Sequence, residues 1–249
     1  MTTDPNVLAR GGPPRPKIRR VYKTVSVDEK AGLFRVLLDG KPVMTPMRAQ
    51  LGTPHRALAD AIAAEWDAQN PDIDPEAMPL TRLVSTALDR VTPHREGLIN
   101  ELMKYADGDL LCYRASHPAD LQARQTVVWQ PMLDWMAAAQ GVRLSTVQGI
   151  MPHGQTPETH ADLRRAIAGL DDDHLTAFQA TAAITNSLAL ALALTAGRIS
   201  GEEAFAAASL DESYQMECWG EDNLALVRSR HIAADLLAIG EYLRLLKLP

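Results

Sequence analysis

In the first fifth of the chain apolar residues come in short runs broken by turn residues, whereas from residue 53 onward they recur every three or four positions. The first pattern predicts strands and the second amphipathic helices. Val21, Val25 and Val27 make one apolar run and Leu33 to Leu38 another, followed by the tight-turn pair Asp39-Gly40. Residues 41–46 then form a return strand, held to a sheet edge because Pro42 and Pro46 cannot donate to a ladder. So small an antiparallel sheet needs an apolar cover. The next segment supplies one: a helix capped by Thr53, with Pro54 in its first position, running through Trp66 and presenting Leu58, Ile62 and Trp66 as a stripe.

Pro71 ends that helix, and the acidic, proline-rich residues 72–79 read as a connector. Beyond it the spacing is helical almost throughout: Leu80 to Val91, Pro93 to Cys112 with Thr92 as cap, Pro118 to Ala139, Pro157 to Ala168, Asp173 to Ala196, Gly201 to Ser209 and Asp222 to Leu246. Trp129, Leu133 and Met136 form a core stripe on the third of these. Residues 142–151 are extended and return to the sheet. The fold class expected is α+β, a small N-terminal antiparallel sheet covered by a helix and followed by a larger all-helical domain. The expected division is a flexible tail over residues 1–17, a small α/β domain over 18–79 and a helical domain over 80–249. No internal repeat is present.

Residues 175–197 carry no charge, long enough for a membrane span. Yet Gln179, Thr181, Thr185, Asn186 and Ser187 sit near the middle, no aromatic belt flanks the segment, and Gly197 marks a helix end. It reads as the buried central helix of a soluble domain, with no membrane insertion.

A chain of 249 residues, 46% hydrophobic and 22% charged, can bury a full core. Its net charge of -6 argues against nucleic acid as a partner. Cys112 and Cys218 stand far apart, so no disulfide framework is indicated. The basic end of the tail, from Arg10 to Lys23, suits either a tether or a solvated segment.

Charge is most unevenly spread between Ile199 and Val227. There Glu202, Glu203, Asp211, Glu212, Glu217, Glu221 and Asp222 meet no Lys or Arg within the segment. Two readings fit: a negative surface around Tyr214 and Trp219 that awaits a partner, or a wet helix face over a core tryptophan. Catalytic signatures are missing: no phosphate-binding loop, no dinucleotide fingerprint, no nucleophile elbow, and no histidines at the spacing that grips a metal. No cofactor is expected. An acid–base enzyme would use Glu212 with Glu217 or Asp222 in an interdomain cleft, although any acidic helix supplies such pairs.

Several separated motifs, in order, resemble the assembly chaperones of the F-type ATP synthase catalytic head that attend its α subunit. They are Arg20-Val21-Tyr22-Lys23, Leu38-Asp39-Gly40-Lys41-Pro42-Val43, Ile62-Ala63-Ala64-Glu65-Trp66, Met78-Pro79-Leu80-Thr81-Arg82, Asp109-Leu110-Leu111-Cys112-Tyr113-Arg114, Trp129-Gln130-Pro131 and Gly149-Ile150-Met151-Pro152. The most specific runs from Leu210-Asp211-Glu212-Ser213-Tyr214-Gln215 to Trp219-Gly220-Glu221-Asp222. The resemblance implies a protein that is not an enzyme and masks the unassembled α subunit until the head assembles, in the bacterial cytoplasm or, for eukaryotic relatives, the mitochondrial matrix. It also implies orthogonally packed helices in the larger domain. It singles out Glu212 as the critical contact, with Asp211, Glu217 and Asp222 secondary. Trp66 and Trp219 stay open between core and contact. Asn223-Leu224-Ala225 stand where the resemblance leads one to expect further acids.

Overall fold

The computed structural model describes residues 18–220 and 223–248. The expected tail therefore lies outside the described residues, as do Glu221 and Asp222. The chain opens with β1 (Ile18–Arg19), β2 (Val25–Lys30), β3 (Leu33–Leu38), β4 (Lys41–Pro42) and β5 (Gly52–Thr53). β3 is the hub of an antiparallel sheet: β2 pairs along one edge, and β4 and β5 share the other. Val25 opposes Leu38 and Lys30 opposes Leu33. That register needs a two-residue turn, made by Ala31-Gly32 with φ of 55° and 78°. Asp39-Gly40, with φ of 48° and 75°, makes the second. Both pairs adopt the left-handed backbone that matches strand twist. The Asp39 carboxylate fixes the second turn by accepting the N–H groups of Lys23 and Thr24, bonds that hold its pKa below the usual aspartate range.

α1 (Arg56–Asp67) covers this sheet with Leu58, Ala59 and Ile62 buried. It begins later than expected. Gly52 and Thr53 pair with Arg35 and Phe34, so Thr53 is a strand residue whose hydroxyl accepts from His55 N–H, and His55 takes the cap position. Val21, expected in the first strand, is 88% exposed and outside it. After α1 the connector forms β6 (Asp72–Ile73), paired with β1.

The helical part comprises α2 (Pro79–Thr86), α3 (Thr92–Leu102), α4 (Ala119–Ala139), α5 (Pro157–Ala168), α6 (Asp172–Thr185), α7 (Leu188–Thr195), α8 (Gly201–Ala208), α9 (Leu210–Trp219) and α10 (Asn223–Leu245). Thr92 is not a cap. A π-helical turn over Ala87–Val91 carries α2 directly into α3, because Pro93 has no N–H to give the carbonyl four residues back and a widened turn absorbs the loss. α3 ends at Leu102, ten residues short of expectation, and 3-10 turns continue to Cys112. The extended stretch after α4 forms β8 (Val147–Gln148), which pairs in parallel with β7 (Tyr113–Arg114) and not with the N-terminal sheet.

The uncharged stretch is two helices, not one. Asn186 turns left-handed at φ 52°, and Ser187 restarts the chain by accepting Leu190 N–H. All eight residues of α7 are buried. Asp109, fully buried, seals the break: it accepts the Ser187 hydroxyl at 2.9 Å, Ala189 N–H at 3.0 Å and Leu111 N–H at 3.0 Å. Trp129, Leu133 and Met136 lie in the core as their spacing implies. Buried apolar residues form one continuous cluster from Val36 to Leu246. α8 and α10 touch backbone to backbone at Gly201, where a Cβ would lie 2.5 Å from the Leu236 carbonyl oxygen. Among the described residues no helix is long and apolar enough to cross a membrane.

Candidate functional site

The acidic segment folds into α8, α9 and the start of α10, and α9 is the element that local pattern did not separate. Ser200 caps α8 in a reciprocal box with Glu203, which removes one carboxylate from the expected free patch. Only Leu210 and Tyr214 of α9 are buried. The helix is held down mainly by polar bonds along its flanks.

Three of these bonds run to α4. Gln125 Nε2 donates to Asp211 at 2.8 Å, the Tyr214 hydroxyl donates to Asp120 at 2.8 Å, and Arg124 pairs with Glu217 at 2.7 Å. The Arg124 guanidinium also lies over the Tyr214 ring, 5.2 Å from its centre. The Tyr214 bond draws the Asp120 pKa down, and the Asp120 carboxylate in turn pushes the phenol up. On the other flank Glu212 pairs with Arg228 of α10. The acids meet no cation within their own segment, but two arginines outside it, Arg124 and Arg228, reach two of them. Both pairs remain at the surface, with half of the Glu212 and Glu217 side chains exposed.

These contacts separate Glu212 from Glu217. They lie five residues apart on a helix of 3.6 per turn, so they leave it in different directions, one toward α10 and the other toward α4. An acid–base pair needs the two carboxyls on one reacting group, and this arrangement does not provide it.

The tryptophans divide. Trp219, at the last turn of α9, is 79% exposed. Trp66 is half-buried in the last turn of α1, where its ring meets Tyr22 edge to face at 6.0 Å. The Tyr22 hydroxyl donates to the Trp66 carbonyl at 2.6 Å. The Trp66 indole nitrogen is buried with no hydrogen-bond partner among the described residues.

Sequence reasoning did not find the apolar groove beside α9. Val127 and Val128 of α4, Phe205 and Ala206 of α8, and Leu210 and Ser213 of α9 border a cavity of about 600 Å³. Among the described residues Arg124 is its one charged wall residue. A signal existed: Ala123 and Val127, four apart, form a second small apolar stripe on α4 beside the Trp129 stripe.

A sequence model of the ATP12 chaperone protein family matches residues 19–137. The crystal structure of Atp12 from Paracoccus denitrificans superposes with a TM-score of 0.85 at 36% identity, covering 92% of this chain and 98% of that one. The chain belongs to the ATP12 chaperone family. Mitochondrial protein atp12 of Schizosaccharomyces pombe is 29% identical over 219 residues, 83% of this chain and 75% of its own length. A solved protein from Agrobacterium tumefaciens reaches a TM-score of 0.87 at 39% identity, over 99% of this chain and 92% of that one. The ATP12 family model ends at residue 137, ahead of α8 and α9.

Proposed function

We propose that this ATP12-family chaperone holds the α subunit of F-type ATP synthase before the catalytic head assembles, covering contact surface that neighbouring subunits later occupy. The observation that carries the reading is the outer face of α9. There an indole 79% exposed ends a helix whose carboxylates remain within reach of solvent. Bare subunit interfaces aggregate, and a reversible cover needs an anchoring side chain with charges that orient the encounter. Trp219 is the anchor, and Glu212 the principal charge. Asp211, Glu217 and Asp222 contribute less. The role is binding and release without turnover, and release follows when the proper neighbouring subunit competes for the same surface. The place is the compartment where that subunit is made, a bacterial cytoplasm.

The test is capture of isolated α subunit by the purified full chain. Wild type retains it, and Glu212→Lys retains at least tenfold less with the melting temperature lowered only slightly. No capture by wild type ends the reading, as does finding the protein as a stoichiometric part of finished ATP synthase.

A further inference from the structure

The groove between α4, α8 and α9 is apolar, open at the surface and bordered by acids, a combination that specifies what enters it. Val127, Val128, Phe205 and Leu210 supply its walls, and Ala206 and Ser213 keep it from being filled. Val127 is 74% exposed. Val127 and Phe205 both border a cavity of about 600 Å³ that opens broadly to solvent, a volume comparable with that of small-ligand sites.

Charge decides between occupants. Arg124, the one charged wall residue among those described, is already engaged by Glu217 and by the face of Tyr214. Beside it lie Glu217, its ion-pair partner, Asp120 at the start of α4, and Asp211, which accepts from the adjacent Gln125. Arg124 is the cation paired among them. The rim is left negative, which disfavours an acidic or anionic-lipid occupant and favours a basic one.

We infer that this groove receives a segment of the client subunit that presents a bulky apolar side chain flanked by lysine or arginine. The apolar side chain enters between Val127 and Phe205, and a flanking cation meets the free carboxylate edge of Glu217. This rests on the chaperone reading and places its main apolar contact beside α9, not on the outer indole alone. The intramolecular pair between Arg124 and Glu217 then serves a second purpose. It holds the acid in place while the groove is empty and exchanges partners when it fills, so encounter is fast and release remains possible.

The experiment compares full-length wild type, Ala206→Phe, Val127→Arg and the remote control Met47→Asp in capture of isolated F-type ATP synthase α subunit. Ala206, Val127 and Met47 are all exposed, so each variant keeps the fold, which melting temperature verifies. Ala206→Phe fills the groove and weakens capture at least tenfold. Val127→Arg puts a cation at the apolar entrance, where it repels the client's flanking cations, and weakens it further, with the loss growing smaller in high salt. Met47→Asp retains capture. Undiminished capture by both groove variants overturns the inference while leaving the chaperone reading standing. So does a change in the mass of the free protein with capture intact, which assigns the groove to a second copy of this chain. If wild type captures nothing, both fall together.

Discussion

Glu212 of α9 and Arg228 of α10 form an ion pair between consecutive helices, with 46% of the carboxylate side chain and 65% of the guanidinium side chain exposed. Water screens such a pair, so its contribution to stability is well under about 1 kcal/mol. Glu212→Lys, which sets two cations face to face, therefore lowers the melting temperature only slightly. The charge reversal Glu212→Lys with Arg228→Glu restores the intramolecular attraction. It does not restore capture of the α subunit, because the carboxylate is then offered from a different helix. Calorimetry and capture on the same three proteins separate the two roles; recovery of both together makes Glu212 a purely structural residue.

The two tryptophans are expected to respond in opposite ways. Trp219→Ala removes a side chain that touches little of its own fold, so thermal stability stays put and client capture drops at least tenfold. Trp66→Ala vacates packing against Tyr22 and the core, at a cost of about 3 kcal/mol in urea denaturation. Trp66→Phe is the informative control. It keeps a ring beside Tyr22 and deletes the indole N–H that lacks a partner, so its cost stays below about 1.5 kcal/mol.

Acid should loosen α9 through Asp120. The Tyr214 hydrogen bond depresses the Asp120 pKa, so its stabilisation is fully present above the unfolded aspartate value near 4. It is lost as pH falls through the lower folded value. Tyr214→Phe removes that contribution at neutral pH. The gap in melting temperature between wild type and variant is accordingly widest near pH 7 and narrows as the pH falls below about 4. A gap independent of pH would mean the tyrosine acts through packing alone.

Asp109 is the interior counterpart. Asp109→Ala leaves the Ser187 hydroxyl and the N–H groups of Ala189 and Leu111 buried without an acceptor. The loss is about 3 kcal/mol or more. Asp109→Asn keeps one acceptor oxygen and loses less, which equilibrium unfolding in urea measures directly. Equal losses in both variants would show that shape, not acceptance, is what Asp109 supplies.

Much of the architecture is legible in local pattern because short-range physics controls it. The Asp39-Gly40 turn, the stripe of Leu58 and Ile62, the core face of Trp129, Leu133 and Met136, and the bounds of Pro157–Ala168 all follow from backbone preference and periodicity. The boundaries that shifted did so where distant residues intervened. Thr53 became a strand residue because Phe34 offered a ladder position. The uncharged stretch split at Asn186 because Asp109, far earlier in the chain, captures the N–H groups that open α7.

The acidic segment divides along the same line. Its abundance of carboxylates, its tyrosine and its tryptophan are properties of consecutive residues and can be read without a fold. Which carboxylates keep company with cations is not, since Arg124 precedes Glu217 by 93 residues and only the packing of α4 against α9 brings them together. Neither is the groove, whose walls come from three helices and exist only once those helices stack. Period and composition assign each residue a preference, but a cavity and an ion pair are relations between segments, and those form only when burial of the common core chooses the neighbours.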